Sequence, residues 1–355
     1  MQGNFALNAD IVFMKEKIIL SCTIILALLT CGCAKKNAHY YAKKQGLDFG
    51  FAVTSGDLIQ HPNVDIVAEN ATMIVSENNM KCGNLRPNRR FWNWSDVDNL
   101  MDFAQKNDIN VKFHTLFWHQ QNPPFISNLT TGEEALVAMD EHIQTVMERY
   151  RGKVKVYDVV NEMFNEDGTM RETIWYNLIG PEYIEHALRK ARECDPNAKL
   201  YLNEYNNENL GYAKSEALYN LVKDYKKRGV PIDGIGMQLH LDGTQPLNED
   251  AIRENIRRYA ELGIEISFSE IDVRIPSSDP KSYEKAQGDI YCTLLKMALE
   301  EPNVKSYIMW GYSDNGSWIP GTFPTFGYAL PFDYNRKPKP VYAAMVEMLK
   351  TYKRR

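Results

Sequence analysis

Short apolar runs rich in β-branched residues alternate with longer amphipathic stretches along most of the chain. Eight of these runs have the composition and length of strands, and the stretches between them carry apolar residues at helical spacing. The predicted strands cover residues 47–53, 72–77, 110–116, 154–162, 199–203, 234–241, 265–273 and 304–312. Alternating strands and helices predict a parallel sheet, and eight such units in one chain predict an α/β fold with a single (β/α)8 TIM barrel.

The stretches between the strands also carry helix start and stop signals. One helix is expected to open at Ser95-Asp96, which is an N-cap candidate. Asn248 is expected to cap a second helix, and Gly229 to close a third. Besides the helix that opens at Ser95, the predicted helices cover residues 134–150, 182–194, 214–227, 249–262, 282–299 and 341–353.

Length and composition place the chain among ordinary folded proteins. It has 355 residues, of which 44% are hydrophobic and 25% are charged, as in a typical soluble globular protein. Its 41 basic and 46 acidic residues give a net charge of −5, and no basic block interrupts the folded part. Phosphate binding needs a concentrated positive surface, so a nucleic acid partner is not expected.

The N-terminus has the pattern of a targeting segment. Lys15 and Lys17 form a small basic region, and residues 18–30 form an uncharged, largely apolar run that is too short to span a bilayer. Met14 is an alternative start for this segment. We therefore predict three parts: a signal segment at 1–32, a polar linker at 33–46 and the barrel domain at 47–355.

The targeting segment ends in Cys31-Gly32-Cys33. This ending resembles a bacterial lipoprotein signal, in which cleavage before a cysteine lets that cysteine carry lipid. Cys33 fits the pattern best, and Cys31 is the alternative. The expected location is therefore a bacterial membrane, with the protein held by its lipid on the outer-membrane, periplasmic or cell-surface side. An ordinary secretory signal is the other interpretation, and it would leave the protein secreted.

Three cysteines lie outside the targeting segment, at Cys82, Cys194 and Cys292. Their wide spacing matches neither a metal-binding pattern nor a framework of paired bridges. We predict that all three are buried thiols.

Two of the predicted strands each deliver a glutamate. The strand at 154–162 ends in Asn161 and Glu162, and the strand at 265–273 carries Glu270. The carboxyl ends of the strands form the functional face of a TIM barrel, so the two glutamates are expected to lie at the same face. Paired carboxylates are what a hydrolase of glycosidic bonds needs. The alternative is that each glutamate pairs with a neighbouring lysine or arginine.

The other strand ends carry side chains suited to a sugar, which has apolar faces and polar edges. Gln238 and His240 share one face of the sixth strand, and Glu270 and Asp272 share one face of the seventh. Each candidate also has a structural interpretation, as a helix cap, an ion-pair partner or a core residue. The remaining candidates are Glu77, Asn78 and Lys81 after the second strand, His114, Trp118 and Gln121 at the third, Tyr205 after the fifth, and Trp310 and Trp318 at the eighth.

Six motifs combine these candidates with their neighbours. They are Glu77-Asn78-Asn79-Met80-Lys81, His114-Thr115-Leu116-Phe117-Trp118-His119, Asp158-Val159-Val160-Asn161-Glu162, Asn203-Glu204-Tyr205-Asn206, Gly236-Met237-Gln238-Leu239-His240 and Ser269-Glu270-Ile271-Asp272-Val273. In content and order they strongly resemble the retaining endo-1,4-β-xylanases of glycoside hydrolase family 10. The resemblance runs from about Phe49-Gly50 to Lys339-Pro340-Val341-Tyr342, nearly all of the chain after the targeting segment.

The resemblance implies a role for each residue of the catalytic group. Glu162 would be the general acid/base, and Glu270 would be the nucleophile. Gln238 and His240 would hold the nucleophile, and Asp272 would orient His240. This scheme requires no metal and no organic cofactor.

The resemblance also implies how a substrate is held. Asn161 and His114 would contact the sugar at the cleaved bond. The substrate would be xylan or a xylo-oligosaccharide. Separately from the resemblance, we expect a monomer whose only membrane contact is a lipid on the N-terminal cysteine. The positions that match the family's glycone side are Glu77, Asn78, Lys81, Trp118, Gln121, Trp310 and Trp318.

Two positions depart from the family pattern. Cys82 stands where the family usually has Trp, which puts in doubt the packing beneath Lys81, and Glu204 stands where the family usually has Asp.

Two other functions are compatible with the sequence: a barrel glycosidase that acts on another β-1,4-linked glycan, and an exported lipoprotein that binds polysaccharide without cutting it.

Overall fold

The computed structural model describes residues 36–354, and these residues contain ten β-strands. The strands are β1 (Asp48–Val53), β2 (Met73–Ser76), β3 (Asn110–Phe117), β4 (Val156–Asn161), β5 (Lys199–Glu204), β6 (Gly234–Met237), β7 (His240–Asp242), β8 (Glu265–Pro276), β9 (Val304–Met309) and β10 (Phe326–Gly327).

Eight of the strands close into a parallel barrel. Strands β1 to β6 pair in chain order, β8 follows β6, β9 follows β8, and β9 pairs in parallel with β1 to complete the circle. The two remaining strands are short and pair with the distal part of β8, β7 in parallel and β10 antiparallel. The predicted (β/α)8 barrel is confirmed.

Helices cover the outside of the barrel. Within residues 36–354 they are α1 (Ala38–Gln45), α2 (Asn63–Asn70), α3 (Cys82–Leu85), α4 (Ser95–Lys106), α5 (Pro124–Ser127), α6 (Gly132–Tyr150), α7 (Ile174–Ile179), α8 (Tyr183–Cys194), α9 (Ala213–Arg228), α10 (Glu249–Glu261), α11 (Pro280–Glu300), α12 (Ile319–Thr322) and α13 (Pro340–Thr351).

The predicted helix ends can be compared with these bounds. Asn248 caps α10, because its side chain accepts a hydrogen bond from the Ala251 N–H, and Gly229 closes α9 in a left-handed conformation with φ 68°. Both predictions are confirmed. The predicted cap at Ser95-Asp96 is wrong: Trp94 precedes α4 and makes no side-chain cap, and Ser95 is already the first helical residue.

Apolar residues pack in two layers. Phe49 and Phe51 of β1 face outward into the large cluster between the strands and the helices, whereas Ala52 belongs to a separate, smaller cluster. Successive side chains of a strand point to opposite faces, so the smaller cluster lies inside the barrel. Its members are Ala52, Met73, Val75, Val156, Tyr201, Ile308 and Trp310.

The segment expected to be a linker contains a helix instead. Ala38 and Ala42 of α1 are fully buried in the outer cluster, because small residues four positions apart let the helix pack closely. Gln45 binds the other end of the chain: its Nε2 donates to Leu349 O at 2.8 Å, and its Oε1 accepts from the Arg354 N–H at 3.1 Å. Because the segment is polar in composition, its sequence did not indicate that it packs against the barrel.

The predicted signal segment at 1–32, both candidate lipidation sites and the start of the predicted linker lie outside the described residues. Between residues 36 and 354, no helix combines the length and the apolar character needed to cross a bilayer.

Candidate active site

The fourth strand presents Asn161 as its last residue and Glu162 immediately after it. Glu162 has φ 56°, a left-handed conformation that costs a non-glycine residue of order 1–3 kcal/mol and persists only where neighbours fix it. Two hydrogen bonds do so. The Glu162 N–H donates to Asn203 O at 2.9 Å, and Arg171 Nε donates to Glu162 O at 3.0 Å.

Three amide side chains connect Glu162 with Glu270. Asn161 Nδ2 donates to Glu162 Oε1 at 3.2 Å, and Gln238 Nε2 lies at the same distance from that oxygen. Asn203 Nδ2 donates to Asn161 Oδ1 at 2.8 Å and to Glu270 Oε1 at 2.6 Å. The two carboxyl groups are therefore joined through a continuous set of hydrogen bonds made by neutral amide side chains.

The position of Asn203 depends on a close approach between strands. A Cβ atom at Gly236 of β6 would lie 1.8 Å from Asn203 Oδ1, so this position has room only for glycine. Ser269 Oγ donates to the same oxygen at 2.7 Å. With its oxygen occupied, the Asn203 amide must present its N–H groups to Asn161 and Glu270.

A histidine and an aspartate hold Glu270 from one side. His240 Nε2 lies 3.3 Å from Glu270 Oε2, and His240 Nδ1 lies 2.9 Å from Asp272 Oδ2. Trp318 Nε1 donates to the same Asp272 oxygen at 2.7 Å. Because both ring nitrogens face carboxylates, both must donate, and the ring is an imidazolium. Burial would lower the pKa of His240, but the charges and hydrogen bonds of the two carboxylates raise it to about 10.

A second histidine and aspartate lie on the other side of the nucleophile candidate. His114 Nδ1 is 3.0 Å from Asp158 Oδ2 and 3.9 Å from Glu270 Oε1, and Lys112 Nζ is 3.0 Å from Asp158 Oδ1. Burial would raise the pKa of Glu270, but His114, His240 and the more distant Lys81 outweigh burial and lower it to about 2. Glu270 is therefore ionised at neutral pH although it is only 4% exposed.

Next to Glu270, a lysine lies between two tryptophans. Lys81 Nζ is 4.8 Å from the centre of the Trp118 ring and 5.7 Å from that of Trp310, and it also donates to Asn78 Oδ1 at 3.3 Å. Gln121 Nε2 lies 3.4 Å from the same Asn78 oxygen. Burial lowers the pKa of Lys81, although the nearby carboxylates oppose this effect. Aromatic faces beside amide and ammonium groups form a wall that suits a sugar ring.

The model of glycosyl hydrolase family 10 matches residues 37–348 of this chain. The chain belongs to glycosyl hydrolase family 10.

Relatives match nearly the whole length of this family 10 protein. It is 38% identical to endo-1,4-beta-xylanase B of Thermotoga neapolitana over 336 residues, which cover 91% of this chain and 96% of the relative. It is 34% identical to endo-1,4-beta-xylanase 3 of Hypocrea jecorina, with 89% of this chain and 86% of that protein covered. The crystal structure of xylanase 10B from Thermotoga petrophila RKU-1 in complex with xylobiose matches with a TM-score of 0.85 and 39% identity, over 88% of this chain and 97% of that one.

The family 10 chain brings its predicted site residues to one mouth of the barrel: most follow or end a strand, whereas His114 lies within β3, Glu270 and Asp272 lie within β8, and His240 begins β7. Tyr205 lies beside the loop that carries Glu162, because Arg171 Nη2 donates to the Tyr205 hydroxyl at 3.2 Å and Arg171 Nε donates to Glu162 O. Neither Glu162 nor Glu270 forms an ion pair with a lysine or arginine among residues 36–354. The simple ion-pair interpretation of the two glutamates is therefore not what the structure shows.

The sixth predicted strand is interrupted at the site. Residues 234–241 form β6 and the separate strand β7, because Leu239 adopts φ 62° between them. Gln238 keeps its backbone contacts with both neighbouring strands, donating to Glu204 O at 3.0 Å and accepting from the Glu270 N–H at 3.1 Å. The break lets Gln238 reach Glu162 while His240 reaches Glu270.

Several contributing residues were missed by sequence reasoning. Asn203, Asp158 and His119 lie in the quoted motifs, yet none was assigned a role there. His119 Nδ1 is 3.7 Å from Glu162 Oε2, and burial lowers its pKa. A usable signal existed for Asn203 and Asp158, since polar residues inside buried strands are rare unless they are paired.

The two residues that depart from the family pattern, Cys82 and Glu204, are both buried and packed against neighbouring elements. Cys82 starts α3 and packs into the outer cluster, 4.0 Å from His142 Nδ1, where burial raises the pKa of its thiol to about 12. Although cysteine is smaller than the tryptophan usual in the family, the neighbouring Lys81 lies between two tryptophans. Glu204 is fully buried and accepts from the Phe164 and Tyr205 N–H groups, at 3.0 and 3.1 Å, so it fastens the loop after Glu162.

One prediction about the cysteines needs correction. Cys82 and Cys194 are buried as expected, but Cys292 is partly exposed. It lies on α11 in a surface groove next to α13, so its side chain is only half covered. Between residues 36 and 354, no three acidic, histidine or cysteine side chains are grouped as a metal site.

The charge on His240 should be controlled by Asp272. We expect Asp272→Asn to lower the pKa of His240 and so to raise the pKa of Glu270 above its value of about 2. Since a carboxylate is ionised only above its pKa, the acid limb of kcat/KM for glycoside hydrolysis should move to higher pH, by about one unit.

The matched control is Asp140→Asn, which removes the partner of a surface histidine, His186, at 2.7 Å. This variant should keep the wild-type pH profile. An unchanged acid limb in Asp272→Asn would contradict the control of Glu270 through His240.

Proposed function

We propose that the protein is a retaining endo-1,4-β-xylanase that hydrolyses internal β-1,4-xylosidic bonds of xylan by double displacement. The observation that carries this proposal is the set of amide hydrogen bonds that joins Glu162 to Glu270 through Asn161, Asn203 and Gln238. Retaining enzymes need two carboxyl groups separated by only about 5–5.5 Å. Two glutamates that share hydrogen-bonded neighbours across one barrel mouth suit that requirement.

Glu270 is proposed as the nucleophile because it is ionised and held in place. Its Oε1 accepts from Asn203 and its Oε2 accepts from His240. Such a carboxylate attacks the anomeric carbon, forms an ester with it, and displaces the glycosidic oxygen. Asp272 is proposed to keep His240 oriented and charged throughout the reaction.

Glu162 is proposed as the general acid and then the general base. In the first step it gives its proton to the departing glycosidic oxygen, which leaves as an alcohol. Formation of the ester removes the negative charge of Glu270. In the second step Glu162 takes a proton from water while that water attacks the anomeric carbon and releases Glu270.

The remaining site residues are proposed to bind the sugars. Asn161 and His114 lie beside the two glutamates and are placed to contact the sugar at the cleaved bond. The proposed binding residues are Glu77, Asn78, Lys81, His114, Trp118, Gln121, Tyr205, Trp310 and Trp318.

The proposed substrate comes from the relatives, which are named as endo-1,4-beta-xylanases. The experiment that tests it measures reducing-sugar release from xylan, carboxymethyl-cellulose and mannan by the purified protein. We expect xylan to be hydrolysed in clear preference. Glu270→Ala should lower this rate by a factor on the order of 10⁴ or more, because no nucleophile remains.

Glu133→Ala serves as the control, since Glu133 is exposed at the start of α6, and it should keep full activity. Preference for cellulose or mannan would favour a glycosidase for another β-1,4-glycan. Binding of xylan without release of sugar, unaltered in Glu270→Ala, would favour a polysaccharide-binding protein without activity.

The acid role of Glu162 depends on the leaving group. We expect Glu162→Ala to lower kcat/KM on xylo-oligosaccharides by about 10²–10⁴-fold, because the departing alcohol needs a proton. An aryl xylobioside with a nitrophenol leaving group needs little protonation, so the first equivalent of nitrophenol should appear in a rapid burst before a slow steady state. Rapid mixing measures both phases. Equal losses on both substrates, without a burst, would contradict the acid role.

We also propose that the protein is exported and held at a bacterial membrane through lipid on Cys33. The support is the sequence of the targeting segment. In cells supplied with labelled fatty acid, label should follow the wild-type protein into the membrane fraction and be lost in Cys33→Ala. Cys31→Ala should keep the label. Label that persists in Cys33→Ala would move the lipid to Cys31 or reject lipidation.

A further inference from the structure

The end of the barrel opposite to the proposed active site carries an excess of exposed basic residues. At this end each helix stops and a loop leads into the next strand. We call this surface the basal face and define it by seven exposed cations near the ends of α1, α4, α6, α9 and α13. They are Lys44, Lys106, Arg151, Lys153, Lys226, Lys227 and Lys353.

Nearby carboxylates do not neutralise these cations. None of the seven forms an ion pair among residues 36–354, whereas the neighbouring Lys155 pairs with Asp48 at 2.6 Å. In the same part of the chain, Glu148 and Glu261 are exposed carboxylates at this end that also lack an ion-pair partner. Cations therefore outnumber carboxylates on the basal face, in a chain whose net charge is −5.

The basal face includes a recess lined by basic side chains. It has a volume of about 540 Å³ and lies between the end of α8 and the loop after α9. Arg192, Lys199 and Lys226 line it, together with the carboxylate of Asp233. Asp233 binds Arg192, whereas Lys226 has no such partner among residues 36–354. The recess can therefore admit a phosphate group that receives charge-assisted hydrogen bonds from Lys226.

The chain enters the barrel domain at the basal face. Near the start of α1, His39 Nδ1 donates to Ala71 O at 2.6 Å, just before β2, and near its end Gln45 binds α13. Asn37, which caps α1, comes four residues after the proposed lipidation site, Cys33. An extended chain advances by about 3.3–3.6 Å per residue, so a lipid on Cys33 would hold the start of α1 within about 14 Å of a bilayer surface.

Electrostatic attraction acts over a similar distance. The Debye length is about 8 Å at physiological ionic strength, so charges on the basal face would interact with headgroups that the anchor brings this close. Each lysine or arginine near an anionic membrane surface strengthens binding. The remainder of the protein has a net negative charge, because the total is −5 with the seven cations included, and anionic headgroups repel it.

We propose that the basal face binds the anionic headgroups of a phospholipid bilayer, so that the protein lies on the membrane with its cleft pointing away from it. This inference rests on the proposed attachment of the protein to a membrane. It adds the orientation of the barrel and the surface that fixes this orientation.

The test compares two variants of the full chain that each lose three exposed cations. Glutamine is used as the replacement because its helix propensity is close to that of lysine, so both variants should fold. The basal variant carries Lys153→Gln, Lys226→Gln and Lys227→Gln. The matched control removes three cations from the opposite end, where none of them forms an ion pair among residues 36–354: Arg90→Gln, Lys281→Gln and Lys337→Gln.

Amide hydrogen exchange reports which face lies on the membrane. The full chain is reconstituted on vesicles of phosphatidylcholine alone or of phosphatidylcholine with phosphatidylglycerol. We expect residues 151–155 and 226–230 of the wild-type protein to exchange at least about fivefold more slowly on the anionic vesicles, and residues 313–318 at the mouth to exchange equally on both. Roughly 1 M sodium chloride should abolish the difference, because it shortens the Debye length to about 3 Å.

The basal variant should lose this difference between the two kinds of vesicle, and the control should keep it. The inference is overturned if the wild-type protein exchanges equally on both vesicles, if the mouth is the protected end, or if the two variants behave alike. Loss of protection in inorganic phosphate, but not in sodium chloride of equal ionic strength, would also overturn it and indicate a site for a free anion. Hydrogen exchange does not depend on hydrolysis, so failure of the proposed xylanase function would be a separate result.

Discussion

The structure depends on one ionised carboxylate placed inside a barrel. A buried charge is strongly destabilising unless it is paired and hydrogen-bonded. Glu270 is approached from two sides by histidines, and each histidine is backed by an aspartate: His240 by Asp272, and His114 by Asp158. Because carboxylates and histidines alternate, each of these buried side chains has a partner. Glu270, the two histidines and the two aspartates are therefore electrostatically coupled, so that the loss of one side chain affects the others.

The side chain of the second glutamate, Glu162, is held by neutral amides. Asn161 and Gln238 direct their side chains at Glu162 without adding a fixed charge next to it. A lysine in their place would add a positive charge beside the carboxyl group, whereas an amide holds the position of that group without one. The two glutamates thus differ in their hydrogen bonds: the Glu270 carboxylate contacts His240 as well as the Asn203 amide, whereas the hydrogen bonds to the Glu162 side chain come from the amides of Asn161 and Gln238. That division suits the proposed roles, in which Glu270 stays ionised and Glu162 gains and loses a proton.

The sequence allowed the barrel and the polar strand ends to be predicted, because both follow from local pattern: β-branched runs mark buried strands, and polar residues at their tips break that pattern. Contacts between residues of different strands were harder to predict from the sequence. Asn203 joins the two glutamates only because Asn161 of β4, Asn203 of β5 and Gly236 of β6 lie in register and Gly236 leaves space, neither of which one strand reveals. Helix α1 was missed for a related reason, since its burial comes from distant packing.

The contact between Gln45 and Arg354 brings the beginning and the end of the barrel domain together. Gly46 O accepts from Arg354 Nη1 at 2.8 Å, just before β1, at the end of the barrel opposite to the glutamates. Exposed termini that meet in this way tolerate circular permutation and insertion of a further domain. A module fused at either terminus would leave from the far end of the barrel, so it would not cover the cleft. The architecture thus separates the two ends of the barrel domain from the mouth that carries the glutamates.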